Sequence, residues 1–375
     1  MKQKIDRAGQ LYSDLLTACC RKQHRDNMQV VLSCFLEALG QSRFHASTAK
    51  SPGAISRFLN HQNWSLRTLI RAMRQHALST FRAYLRGRRG RPPLIEVIVD
   101  TTSIAKEGVF AELDGWIHTL NNVRGLHVVM LYVCCGELRL PWGFKIWRGK
   151  GTPSPTDLAL RLVRQLPPEV RARTKHVHLL ADAGFSSQAF MRGVRTLGLN
   201  FTIGMRADRR TTEGQHLKEI TSQQHPVTLS GLPDLQLWLY WIWLPAKKGE
   251  TREQRFLVSS RQRTPQTAKQ TGRRRWKIEA LFKTLKSRFA FGKFGQKTKL
   301  AVLRYLCLSL ACFFLCHFEH LDQTAQDQEV SSWPDWGALA GQVRMRLVGW
   351  VQLFELEREE ERILAVWNGY LHHVA

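Results

Sequence analysis

The chain has 375 residues, 43% of them hydrophobic, with 56 Lys and Arg against 30 Asp and Glu, a net charge of +26 and a pI near 10.3. That length suits about two or three domains of ~100–200 residues, and the apolar share excludes a disordered chain. So basic a protein favours polyanions, nucleic acid above all; the alternatives are a generally basic protein or a membrane-surface binder, against which stand the clustered charge and the lack of a lipidation motif.

Residues 1–92 read as a helical domain. The opening MKQKIDRAGQ lacks an apolar signal core. LYSDLLTACC and MQVVLSCFLEALG have helical apolar spacing. Ser51-Pro52 then starts a short helix bearing Arg57 and Phe58. Ser65 to Ile95 holds no acid. Arg67, Arg71, Arg74, Arg82, Arg86 and Arg89 fall near one helix face, with Leu66, Ile70, Met73, Ala77, Phe81 and Tyr84 on the other. A face of one sign is a phosphate-binding surface in expectation, with Arg67, Arg71 and Arg74 as DNA contacts; the alternative is a solvated face. GRRGRPP, Gly87 to Pro93, is a linker.

The pattern changes at Leu94. LIEVIVD is a short apolar strand ending in Asp100. Leu126–Cys135 and Leu138–Trp147 form a hairpin about Gly136-Glu137 and attach to that first strand. RGKGTPSPTD is a loop before a helix at Thr156–Leu166. HVHLLAD is another strand, ending in Asp182, then comes a turn and helix, then the strand NFTIGMR. Strands interleaved with helices in this way predict an α/β fold with a mixed sheet over 93–206. Residues 207–261, with LQLWLYWIWLP and QRFLVSSR, read as a β-rich insertion. Residues 262–320 return to the core. Residues 321–375 read as a helical C-terminal region with a loose TAQDQEVSSWPDW connector and the acidic run ELEREEER, solvated in preference to packed on a basic surface.

Gly272 to Lys286 reads as one helix, GRRRWKIEALFKTLK, with Trp276, Ile278, Leu281, Phe282 and Leu285 at helical spacing. From Arg261 to Lys299 its Glu279 is the sole acid. Arg275, Glu279 and Lys286 lie at offsets of four and seven, on one face. The plain alternative is a basic surface helix whose Glu is incidental. Yet two strand-ending acids and one helical acid can meet at a sheet edge. Together they offer hard oxygen donors for two Mg²⁺ or Mn²⁺ ions in phosphoryl displacement on DNA. A strand-ending Asp is, on its own, more often a turn or cap residue.

The other candidates are weaker. Cys19-Cys20, Cys34, Cys134-Cys135, Cys307, Cys312 and Cys316 lie mostly in apolar runs without a CxxC, and read as buried, reduced thiols of a cytosolic protein. The run Leu306–Phe318 is shorter than the ~20 residues that span a bilayer and reads as a buried helix. His176 and His178 read as satisfied core or edge histidines, His118 and His127 lack metal-like spacing with any Cys, and Gly149 and Gly151 make no P-loop.

The segments IVDTTSIAKEG, LLADAGFSS and RRRWKIEALFKTLKSRF resemble DDE transposases of bacterial insertion sequences. The resemblance is to the insertion-sequence family 4 group, whose last acid lies in a Tyr-x2-Arg-x3-Glu-x6-Lys signature. Arg275, Glu279 and Lys286 match it, and the Tyr position is Gly272. The resemblance covers about Leu94 to Leu310. It implies an RNase H-like core, a β-rich insertion and a helical DNA-binding domain. It further implies Asp100, Asp182 and Glu279 as a catalytic triad binding two Mg²⁺ or Mn²⁺ ions. Arg275 and Lys286 become contacts to phosphates near a transposon end, with Lys277 and Lys283 added by charge alone. An insertion tryptophan, Trp238, Trp241 or Trp243, is available to stack on a flipped base, the alternative being a β core. The implied activity is cleavage at inverted-repeat ends and transfer of the 3′-hydroxyl into target DNA. It implies a homodimer assembled on DNA, in a bacterial cytoplasm at the nucleoid. The rival readings are a catalytically decayed DNA-binding protein and a metal-dependent nuclease that joins nothing.

Overall fold

The computed structural model describes residues 6–38, 44–87, 90, 92–108, 110–244, 253–327 and 334–374. Arg89, one of the arginines in the expected basic row, lies outside them. The chain divides into two compact units. One is Thr80–Phe282; the other combines Met1–Ser79 with Lys283–Ala375. The division falls inside two helices, each of which runs from one unit into the other.

In the discontinuous unit, α1 (Arg7–Leu16), α2 (Lys22–Leu36) and α3 (Pro52–Asn60) precede α4 (Leu66–Arg86). Asp6 caps α1 through the Gly9 N–H, and Ser51 caps α3 with Pro52 in its first turn. Leu69, Ala72, Met73 and Ala77 form the buried stripe of α4, whereas Leu66 and Ile70 are only half-buried. The stripe is therefore rotated slightly from the sequence expectation, with Leu69 and Ala72 buried where Leu66 and Ile70 were expected.

The continuous unit is built on β1 (Ile95–Ala105), β2 (His118–Leu120), β3 (Val123–Cys135) and β4 (Leu138–Trp147). It continues with α5 (Pro155–Arg164), α6 (Pro168–Arg171), β5 (Val177–Ala181), α7 (Gln188–Thr196) and β6 (Asn200–Met205). Last come β7 (His225–Leu229), β8 (Leu232–Trp243), β9 (Gln254–Ser259), α8 (Pro265–Arg274) and α9 (Lys277–Arg288). Among the described residues the strands make one nine-stranded mixed sheet in the order β2-β3-β1-β5-β6-β9-β8-β7, with β4 on β3. The β3–β4 hairpin turns at Gly136, whose φ of 55° is left-handed; a Cβ there would also meet the Tyr84 hydroxyl at 1.6 Å. β1, β5 and β6 run parallel, and every residue of β5 is buried, which is why it reads as an unbroken apolar run.

Residues 207–261 supply β7, β8 and β9. Because β9 pairs with β6, these strands continue the central sheet. The segment between β8 and β9, 245–252, lies outside the described residues.

The discontinuous unit is completed by α10 (Lys299–Asp327) and α11 (Trp336–Val374). Helix α10 runs past the expected end of the core at residue 320, and residues 328–333 of the connector are outside the described set. It is long and apolar enough to cross a membrane, and 89% of its apolar window is buried in the protein, with Cys307, Cys312 and Cys316 among the packed side chains. Arg304, also buried, donates to the carbonyls of Leu59 (2.8 Å), Gln62 and Trp64 (both 2.9 Å) and stacks on the Trp64 ring. One guanidinium thus satisfies the loose carbonyls after α3. Of the acidic run, Glu355 is bonded to buried Arg25 (2.5 Å), while 357–362 are exposed.

Candidate active site

β1 and β5 are parallel neighbours in the register Val99↔Ala181. The next residues, Asp100 and Asp182, therefore stand at the same level of the sheet. Asp100 remains within β1, opposite Met130 of β3, and is 9% exposed. Asp182 follows β5 and caps a short 3-10 turn by accepting from the Gly184 N–H at 2.9 Å. The capping role and the meeting with Asp100 coexist, since the cap uses one carboxylate oxygen.

Glu279 joins them through a side chain between. Arg275 donates from Nη1 to Asp100 Oδ2 at 2.8 Å and from Nη2 to Glu279 Oε1 at 2.5 Å. The planar fork of a guanidinium suits this double grip. Burial, then the negative charge of Asp182, push the Asp100 carboxyl up to about 7; Arg275 and the Thr101 N–H oppose this and Glu279 adds to it.

The helix expected over Gly272–Lys286 is interrupted where the site forms. α8 ends at Arg274 and α9 begins at Lys277. Trp276 N–H bonds to the Arg273 carbonyl and Ile278 N–H to that of Arg275, three residues back in each case. This tighter turn swings Trp276 outward, so that it is 43% exposed instead of sharing the buried stripe of Ile278, Leu281, Phe282 and Leu285. A cavity of about 520 Å³ opens beside Asp182, lined by Gly272, Arg275, Trp276, Leu257 and Arg206 among others.

A second ionic group, not anticipated from the sequence, seats the start of α9. Glu96, 4% exposed, accepts from Lys277 and lies 3.3 Å from Arg274. Lys277, a phosphate candidate by charge, is committed to this pair. The available signal was Glu96 itself, the lone charge inside LIEVIV and four residues before Asp100 on the same strand face.

Among the described residues no group of three His, Cys, Asp or Glu side chains stands ready to hold a metal ion. Arg275 explains this, as its guanidinium lies between two of the three acids. The donor set still fits a divalent ion. Asp182 and Glu279 both act on the Asp100 carboxyl, which burial raises first, and a dication would relieve their mutual repulsion.

The remaining candidates are scattered. Arg67 and Arg71 are exposed on α4 and Arg74 is half-buried near Cys307; Arg82 is ion-paired with Glu169. Lys283 and Lys286 are exposed on α9 beyond the unit division. Trp238 packs against the Tyr240–Leu257 core, Trp241 leans on Phe256, and Trp243 is half-exposed. His178 is satisfied by Thr202 and Arg263, and His127 by Ser103 and the His118 carbonyl.

The family model described as "Transposase DDE domain" matches residues 92–315. No curated protein matches the chain. Among solved structures, the cryo-EM structure of the piggyBac transposase synaptic complex with hairpin DNA aligns at a TM-score of 0.51 and 13% identity, over 90% of this chain and 73% of that one. At that identity the likeness is one of fold: the RNase H-like mixed α/β sheet with helical regions at both ends.

Proposed function

The chain belongs to the DDE transposase family and is an enzyme of that type; from this premise we propose that it cuts DNA at the inverted-repeat ends of its own element and joins the freed 3′-hydroxyl to target DNA. The observation that carries the reading is the grip of one guanidinium, Arg275, on Asp100 and Glu279, with Asp182 at the same level of the neighbouring strand and repelling the Asp100 carboxyl. We assign these three as the residues that hold two Mg²⁺ or Mn²⁺ ions. When bound, such ions activate the attacking water or 3′-hydroxyl and stabilise the departing oxygen. The carboxylates orient those ions and need form no covalent bond to DNA. Arg275, Lys283 and Lys286 align the phosphates of the transposon end, and Arg67, Arg71 and Arg74 hold flanking duplex. Arg275, Glu279 and Lys286, at the signature's spacing, support a place in the insertion-sequence family 4 group. The solved relative is a synaptic complex with hairpin DNA, which supports a DNA-assembled dimer here. The work would be done at the nucleoid of a bacterial cytoplasm.

Substituting Asp100→Ala tests the assignment. Mg²⁺-dependent cleavage of an end-bearing duplex should fall about a thousandfold, several kcal/mol of barrier, while binding of that duplex persists. Undiminished cleavage refutes the triad. Pre-cut ends offered with target plasmid separate transfer from hydrolysis alone; an absence of joined product leaves a nuclease.

A further inference from the structure

We propose that Arg275 is a placeholder cation: it holds the acid cluster together in the DNA-free protein, keeps the metal site closed, and surrenders it when a DNA phosphate draws its guanidinium away. The proposal rests on the reading of Asp100, Asp182 and Glu279 as metal ligands.

Three carboxylates brought to one sheet edge repel, and a cation must offset that for the cluster to persist. In this structure Arg275 does so. Its side chain is 15% exposed, and its two terminal nitrogens reach Asp100 Oδ2 and Glu279 Oε1 at 2.8 and 2.5 Å. Each bond is made to an oxygen that a metal would need. The ion and the guanidinium therefore compete for the same lone pairs. Asp182 is held instead from the Gly184 N–H, which donates to its Oδ1. Glu279 is 54% exposed at its side chain, so the outer half of the grip faces solvent and can open first.

Where Arg275 goes on release is set by its chemistry. A guanidinium leaving a carboxylate finds its best alternative partner in a phosphate, which accepts the same fork. Arg274 and Lys277, its cationic neighbours, are tied to Glu96 and keep the backbone on either side in place. Arg275 can thus change partner without α9 leaving the sheet. Affinity for metal is lowered by the fraction of molecules in which the site is free. A cleavage centre that assembles only on DNA is the result.

The measurement is Mn²⁺ binding to the full chain, followed by the electron-spin signal of free Mn²⁺. Without DNA, Arg275→Ala and Arg275→Gln should each bind Mn²⁺ about tenfold more tightly than wild type, the sign opposite to that of a lost structural residue. Adding random-sequence duplex, with the Mn²⁺ taken up by DNA alone subtracted, should tighten wild-type binding about tenfold and leave Arg275→Gln unmoved. Equal affinity in wild type and variants, or no response of wild type to DNA, overturns the placeholder. If neither variant folds by circular dichroism, the wild-type response to DNA decides alone. Asp100→Asn separates the two claims. Where it abolishes Mn²⁺ binding while the arginine variants change nothing, the ligand assignment stands and the placeholder falls. Where Asp100→Asn leaves binding intact, both fall.

Discussion

Asp100 carries a proton at pH values where an unperturbed Asp, near ~3.9, has lost it. Its folded value is pushed up to about 7 by burial first and by Asp182 second, against the pull of Arg275. Between those two values the folded chain binds a proton that the unfolded chain does not, so stability is present at low pH and is lost as pH rises through about 7. The metal-free protein should therefore melt at higher temperature as pH is lowered from about 8 to about 5.5. The effect is at most a few kcal/mol, and Asp100→Asn should flatten the trend. Asp322, also raised by burial but in the other unit, acts in the same direction, so Asp322→Asn serves as the comparison. A melting curve of Asp100→Asn as steep in pH as wild type removes Asp100 as the source. The positions of Asp100 and Asp182 were legible in the sequence because each terminates an apolar run. The grip of Arg275 on Asp100 was not, since 175 residues separate them and nothing local encodes the contact.

Among the elements, the hairpin of β3 and β4 and the buried strands β1, β5 and β6 follow from apolar runs punctuated by turn residues, and their register puts Asp100 beside Asp182. The α8–α9 segment was legible as helix but not as two helices, because the break lies in hydrogen bonds that shift to three-residue spacing with no Pro or Gly at the joint. Gly272 is the informative residue here. A Cβ at this position would come within 2.6 Å of Leu257 Cδ1, a β9 side chain in the core beneath α8. The signature tyrosine would thus require the far end of the Leu257 side chain to shift. Gly272→Tyr should cost about 1–3 kcal/mol in denaturant melts, the usual range for overpacking. Trimming the obstruction in Gly272→Tyr/Leu257→Ala should cost less than the two single changes added together. Strict additivity would mean that Leu257 is not what keeps the position small.

At the scale of the whole molecule, the sequence made charge legible and chain partition illegible. The discontinuous unit joins residues 1–79 to 283–375. Its ties are contacts such as Arg304 to the Leu59 carbonyl, 245 residues away, which no composition shift announces. The charge, by contrast, is additive and can be read directly: +26 over the chain. Some of it is already spent internally, in Arg25 on Glu355, Arg82 on Glu169, and Arg274 and Lys277 on Glu96. Arg67 and Arg71 remain exposed on α4. If such residues neutralise phosphates, each contact releases a counterion, and log affinity falls with log salt at about −0.9 per phosphate. For roughly six to ten contacts, random duplex should lose about 10³- to 10⁵-fold in affinity between 50 and 200 mM salt. Fluorescence anisotropy gives the slope directly. The double change Arg67→Ala/Arg71→Ala should lower the slope by about two, with affinity reduced alike for every sequence tested. A slope left unchanged would move the DNA path away from α4, because affinity alone can fall through misfolding, whereas the salt slope counts only the phosphates the surface still touches.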